Sequence, residues 1–184
     1  MLGSPYLLEG LVLFQPALHA DERGAFFESF NARRFFEATG VSAPFVQDNQ
    51  SISRKGVVRG LHYQLPPHAQ GKLVRVIAGR VFDVAVDLRE KSGSYGRWAG
   101  IEISAHNKLQ LWIPPGFAHG FLALEDDTQV LYKTSDFWHS DSERAIRWDD
   151  PELDIAWPLD GLHIQLSAKD AVAPTLSARK APLL

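Results

Sequence analysis

Val57-Val58-Arg59-Gly60-Leu61-His62-Tyr63-Gln64 sets a cation, a glycine and a histidine inside a run of β-formers. Val57, Val58, Leu61 and Tyr63 suit a pleated, half-buried strand. Arg59 and His62 are costly to bury there without partners. A strand that keeps such groups is exposed on one face or lines a polar cavity. Further polar groups stand in similar β-like segments at Lys72, Asp83, His119 and Tyr132. Their recurrence favours the cavity.

Outward from this stretch the signals are mostly β. Upstream, Val46–Ser53 alternates weakly, and Arg54-Lys55-Gly56 reads as a hairpin turn. Downstream, Lys72–Ala78 and Val81–Leu88 are strands around a tight turn at Gly79-Arg80. Trp98–Ser104, Leu109–Ile113, Gly116–Leu124 and Thr128–Ser135 continue the series. Short strands at this spacing indicate a β-sandwich or barrel, not alternating βα units. Nearer the N-terminus, Leu11–Phe14 reads as an apolar strand in need of a partner edge. Asp21-Glu22-Arg23-Gly24 is a turn, and Ala25–Phe30 a strand with Phe26, Glu28 and Phe30 on one face. Asn31 can cap a helix to about Thr39, with Gly40 as its stop and Phe35 and Phe36 packing it down. The tail beyond Asp149, with Pro151, Pro158, Pro174 and Pro182, is expected to wrap the barrel without a regular element. No boundary is visible, so residues 1–184 are read as one domain.

Composition narrows the function. At 184 residues, folding buries roughly 70% of the chain's surface. A net charge of −3 supplies no strong field toward nucleic acid or membrane. With no cysteine, disulfides and thiolate metal sites are excluded, which fits a reducing compartment. Met1–Gly10 lacks the pattern of a signal peptide, and no apolar run approaches the ~20 residues of a membrane span. The expectation is a cytoplasmic protein.

Each candidate residue also has a plainer reading. A lone histidine in an apolar strand, such as His119 after Pro114-Pro115-Gly116, is more often a hydrogen-bonded core residue than a catalyst. Two histidines in a barrel raise the question of a metal. A metal barrel usually sets two ligands on one strand face, but Gln64 stands two residues beyond His62, and Phe117 and Phe121 flank His119. Lys72 would ordinarily snorkel to water; a functional lysine needs a desolvated pocket and a carboxylate, for which Asp83 or Asp87 is eligible. Tyr132 would normally be core, Asp170 a solvated charge and Trp138 a packing residue. An exposed aromatic can instead stack on a base, so Trp138 is kept as a substrate-binding candidate.

Taken together the stretches resemble the dTDP-4-dehydrorhamnose 3,5-epimerase family. The carriers are Asp21–Gly24, Gln47-Asp48-Asn49, Val58–Gln64, Gly71–Val76, Gly79 with Asp83, Pro114–Phe121, Tyr132-Lys133 and Ile146–Pro151. The resemblance implies an all-β, cupin-like jelly roll. It also implies a homodimer in which N-terminal strands join the neighbouring sheet, and an enzyme without metal or other cofactor. Its substrate would be a dTDP-4-keto-6-deoxyhexose.

Position by position, His62 resembles the catalytic base and Asp170 the carboxylate that orients it. Tyr132 resembles the acid on the opposite sugar face, and Lys72 the cation beside the ketone oxygen. Arg23, Glu28, Gln47, Asn49, Arg59, His119, Glu143 and Lys169 match positions that hold nucleotide, pyrophosphate or sugar. The family also uses arginine at position 169; lysine keeps the charge but loses the fork. The implied chemistry suits these residue types. The C4 ketone acidifies the hydrogens at C3 and C5, a histidine can remove one near neutral pH, and a proton returns to the other face. One geometric demand follows. Strict alternation puts Arg59 and His62, three apart, on opposite faces. For both to line one pocket the strand must bulge or twist near Gly60, or the arginine must act at a strand end or across a dimer.

Overall fold

The computed structural model describes residues 8–42 and 45–178. Twelve strands and two short helices follow in chain order. The N-terminal part comprises β1 (Val12–Phe14), β2 (His19–Asp21), β3 (Gly24–Phe26), α1 (Ala32–Thr39) and β4 (Gln47–Ser53). Next come β5 (Val58–Gln64), β6 (Lys72–Ala78), β7 (Arg80–Asp87), β8 (Trp98–Ser104) and β9 (Gln110–Ile113). The chain ends with β10 (Phe117–Ala123), β11 (Thr128–Thr134), β12 (Glu143–Ala145) and α2 (Ala168–Ala171). Two five-stranded antiparallel sheets result, β1-β9-β6-β11-β4 and β12-β5-β10-β7-β8, with β2-β3 as a separate ribbon. This is the jelly roll that the family resemblance implies, and it agrees with the sandwich read from the strand spacing.

Three apolar clusters hold the layers together. Leu13, Val74, Val76, Val81, Ile103, Leu111 and Val130 fill the space between the sheets. Behind the second sheet, Val84, Val86, Leu122 and Ile146 pack against Leu153, Trp157 and Leu176 of the C-terminal tail. The tail therefore covers that sheet's outer face, and β10 is buried along its whole length. On the outer face of the first sheet, Phe35 of α1 meets Leu73 and Trp112. Asn31 caps α1, its side chain accepting from the main-chain N–H groups of Arg33 and Arg34, and Gly40 ends it in the left-handed region.

Several expectations need correction. Phe36 is half exposed, because the core-facing stripe of α1 admits only Phe35. The strand expected over Ala25–Phe30 stops at Phe26, so Phe26, Glu28 and Phe30 share no strand face. Arg54-Lys55-Gly56 does not close a hairpin: β4 and β5 lie in different sheets, and the turn carries the chain across the sandwich. Gly79 does the same between β6 and β7, at φ 72° and so near Thr128 that a Cβ would lie 2.4 Å from its hydroxyl. Leu11–Phe14 finds an edge in its own chain, since β1 pairs with β9. The tail contains one helical turn, α2, capped by Ser167. Pro182 lies outside the described residues. Among the described residues, no helix is long and apolar enough to cross a membrane.

Candidate active site

The two sheets part at one end around a polar cleft. It consists of two adjoining cavities of about 310 and 590 Å³ that share Asn49, His62, Lys72 and Tyr132. Ligand sites commonly occupy this size range. The first sheet supplies Gln47 and Asn49 from β4, Lys72 from β6 and Tyr132 from β11. The second supplies Arg59 and His62 from β5, His119 from β10 and Glu143 from β12.

β5 meets the geometric demand by bulging. Against β10, His62 pairs with His119 and Arg59 with Phe121, so three steps on β5 oppose two on β10. The extra residue turns Arg59 and His62 into the same cleft. Gly60 is required there. Its φ is 120°, and a Cβ would stand 2.5 Å from the Cα of Gly120.

His62 and Asp170 form a close polar contact in the cleft, 2.6 Å between Nε2 and Oδ1. Asp170 is placed by the tail. Val58 donates to the carbonyl of Gln165 and Gln165 to that of Gly56, setting the start of α2 beside β5. Burial pushes the Asp170 carboxyl up. Hydrogen bonding and charge from His62, with Ser167 and the Gly60 N–H, more than offset this and hold it below the usual carboxylate range. An ionised carboxylate only accepts, so the Nε2–H of His62 donates and the lone pair stands on Nδ1. That is the tautomer of a base.

Lys72 and Tyr132 face this pair from the other sheet. Lys72 is buried, and its ammonium donates to the main-chain oxygen of His62 at 3.2 Å. Burial pulls its pKa down to about 8, opposed by the charges of Asp83 and Glu143. Burial also raises the Tyr132 phenol above its ordinary range, with Arg59 opposing and Glu143 adding. Tyr132 is therefore protonated at neutral pH.

Around this centre the polar residues are cross-tied. The Arg59 guanidinium reaches from the second sheet to the first, donating to Ser53 Oγ at 3.1 Å and to the carbonyl of Ile52 at 3.2 Å. Lys169 pairs with Glu143. Burial raises the Glu143 carboxyl, but Lys169, His62 and the Trp138 side chain together bring it below its usual value. The Trp138 N–H donates to Gln47, which donates to Asn49. Trp138 lines the cleft yet is 57% exposed, so a face of its ring can stack on a flat group. His119 lies 2.9 Å from the buried Asp83 and edge-on to Tyr132.

Thus the cleft gathers His62, Lys72, Tyr132, Asp170, Gln47, Asn49, Arg59, His119, Trp138, Glu143 and Lys169. Within one chain it does not gather Arg23 or Glu28. Arg23 lies on the β2-β3 ribbon, 90% exposed and paired with Asp21. Glu28 lines a separate cavity of about 90 Å³ beside α1, bonded to Asn31 and Arg34. Sequence reasoning passed over Gln64 and Gln70, which also line the cleft. Gln64 shares the face of His62 by alternation, which was the available signal. Its side chain donates to the carbonyls of His68 and Phe137 and accepts from the His139 N–H, holding two loops over the cleft. No group of three or more His, Asp or Glu suited to a metal ion occurs among the described residues.

Comparison with known proteins supplies the context. Residues 5–178 match the sequence profile of dTDP-4-dehydrorhamnose 3,5-epimerase. A protein of that name from Pseudomonas aeruginosa is 56% identical over 170 residues, 92% of this chain and 93% of that protein. One from Shigella flexneri is 55% identical over 149 residues, 81% of this chain and 82% of that protein. The crystal structure of dTDP-6-deoxy-D-glucose-3,5-epimerase from Legionella pneumophila, in complex with dTDP-4-keto-L-rhamnose, superposes with a TM-score of 0.89 at 49% identity. That match covers 94% of this chain and 91% of that one.

Proposed function

The chain belongs to the dTDP-4-dehydrorhamnose 3,5-epimerase family, and from that premise we propose how its residues divide the work. The enzyme is an isomerase that inverts C3 and C5 of dTDP-4-dehydro-6-deoxy-D-glucose to give dTDP-4-dehydro-L-rhamnose. One observation carries the division of roles: the His62–Asp170 pair stands on one side of the cleft, with Lys72 and Tyr132 on the other sheet.

His62 Nδ1 takes the proton from C3 or C5, and the electron pair moves onto the C4 oxygen as an enolate. Asp170 stabilises the imidazolium so formed. The Lys72 ammonium holds the enolate oxygen. Tyr132 gives its phenolic proton to the same carbon from the opposite face, which inverts it. The imidazolium then loses its proton to solvent, the phenolate regains one, and the second carbon follows by the same steps. Arg59, His119, Glu143, Lys169, Gln47, Asn49 and Trp138 position the sugar nucleotide, with Trp138 stacking on the thymine. Incubation with dTDP-4-dehydro-6-deoxy-D-glucose should give the doubly inverted product by NMR. Unchanged substrate would overturn the reading.

Asp170→Asn should slow turnover by about 10²-fold, the low end of the range for a general base, with little change in KM, because the imidazole stays but its charge partner is gone. A change confined to KM would mean that Asp170 binds substrate instead.

The catalytic unit is a homodimer of single-domain chains. The β2-β3 ribbon is exposed on every residue and belongs to neither five-stranded sheet, and Phe26 is 74% exposed. In the dimer this arm reaches the second subunit and brings Arg23 and Glu28 to its cleft. Solution scattering at micromolar concentration should return twice the chain mass; the mass of one chain would contradict it.

A further inference from the structure

Lys72 poses an electrostatic problem. A buried ammonium is costly unless an opposite charge compensates it, yet its hydrogen bond goes to a neutral carbonyl. The titratable and charged groups facing it are Asp83 from β7, Glu143 from β12, His62 and Arg59 from β5, His119 from β10, and Tyr132 from β11. Glu143 is already paired with Lys169 at the cleft edge. Asp87, the other eligible carboxylate of β7, is taken up by Arg89, Ser92 and Ser94. Asp83 is different. It has no exposed surface, and His119 fixes one of its oxygens. The other oxygen has no hydrogen-bond partner among the described residues. Its carboxyl is thus anchored in rotation by one contact, on a strand of the sheet opposite Lys72.

We propose that Asp83 is a positioning residue for the epimerisation: clamped by His119, it keeps Lys72 charged and so able to hold the enolate oxygen. The proposal rests on the role given to Lys72 above. Asp83 does not reach the cleft surface, so it acts through the lysine and not on the sugar.

The sign of the pH effect follows. Lys72 carries its charge below about 8 and loses it above, and Asp83 is the larger of the two charges opposing that loss. Isotope wash-in from heavy water should therefore fall as pH rises through about 8. Removing the Asp83 charge should move that fall to lower pH.

The test compares wild type, Asp83→Asn, Lys72→Ala and the double variant by deuterium wash-in across the neutral and alkaline range. Asp83→Asn is expected to shift the alkaline fall down by about one unit. Above both midpoints wash-in then drops about tenfold, with KM nearly unchanged. In the Lys72→Ala background, Asp83→Asn should add no further loss. An alkaline fall that stays in place, or losses that multiply in full, would overturn the proposal. If Lys72→Ala itself retains wild-type wash-in, the fault lies with the role of Lys72 instead. Should Asp83→Asn fail to fold, Lys72→Arg gives a second reading. Its guanidinium stays charged at every working pH, so the alkaline fall should vanish. A fall that persists there would also overturn the proposal.

Discussion

His62→Ala is expected to lower deuterium wash-in at C3 and at C5 together, by about 10³-fold, the middle of the range for loss of a general base. The reason is that the proposed mechanism has one nitrogen serve both carbons. Asp170 occupies Nε2, so Nδ1 holds the lone pair, and His62 is 30% exposed at the junction of the two cavities. A substrate turned about its C4 carbonyl can present either carbon to it. Alanine removes the base and takes from the buried Asp170 carboxylate its histidine partner, leaving it only Ser167 and the Gly60 N–H. Some loss of stability should therefore accompany the loss of rate, and thermal melting of the variant should precede the kinetic comparison. Wash-in retained at either carbon near the wild-type rate would show that a second base exists.

Tyr132→Phe should separate exchange from inversion. In the proposed mechanism its hydroxyl gives the proton across the ring, and burial keeps it protonated. Phenylalanine keeps the ring and its packing against His119 but has no proton to give. The enolate then persists until His62 returns a proton to the face it came from. Wash-in should stay within about tenfold of wild type, while formation of the inverted product falls about 10²-fold. The recovered starting sugar should carry deuterium with its configuration unchanged. If exchange collapses as completely as in His62→Ala, Tyr132 is needed to form the enolate and the roles must be redrawn.

The sequence carried the sandwich because β-formers and turn residues alternate at short spacing, and because α1 is bounded by an unambiguous cap and stop at Asn31 and Gly40. It did not reveal which turns cross between the sheets. Arg54-Lys55-Gly56 and Gly79 have the chemistry of hairpin turns, and only long-range pairing decides that each joins strands of different sheets. The bulge at Gly60 could be stated only as one way to bring Arg59 and His62 together, beside a twist, a strand end or a dimer contact, since alternation is a local rule and does not choose among them. Asp170 has no local signal at all. Its place beside His62 depends on Gln165 bonding to Gly56 and Val58, contacts separated by more than a hundred residues. Arg23 and Glu28 were legible through the family resemblance alone, and a single chain leaves them outside the cleft.

The central claim is that one cleft forms enolates on both sides of the same ketone. Its most direct test is incubation of the wild-type enzyme with dTDP-4-dehydro-6-deoxy-D-glucose in heavy water, followed by NMR of the recovered sugar. The expected result is deuterium at both C3 and C5, each with inverted configuration. Deuterium at only one of these carbons, or at neither, would contradict it.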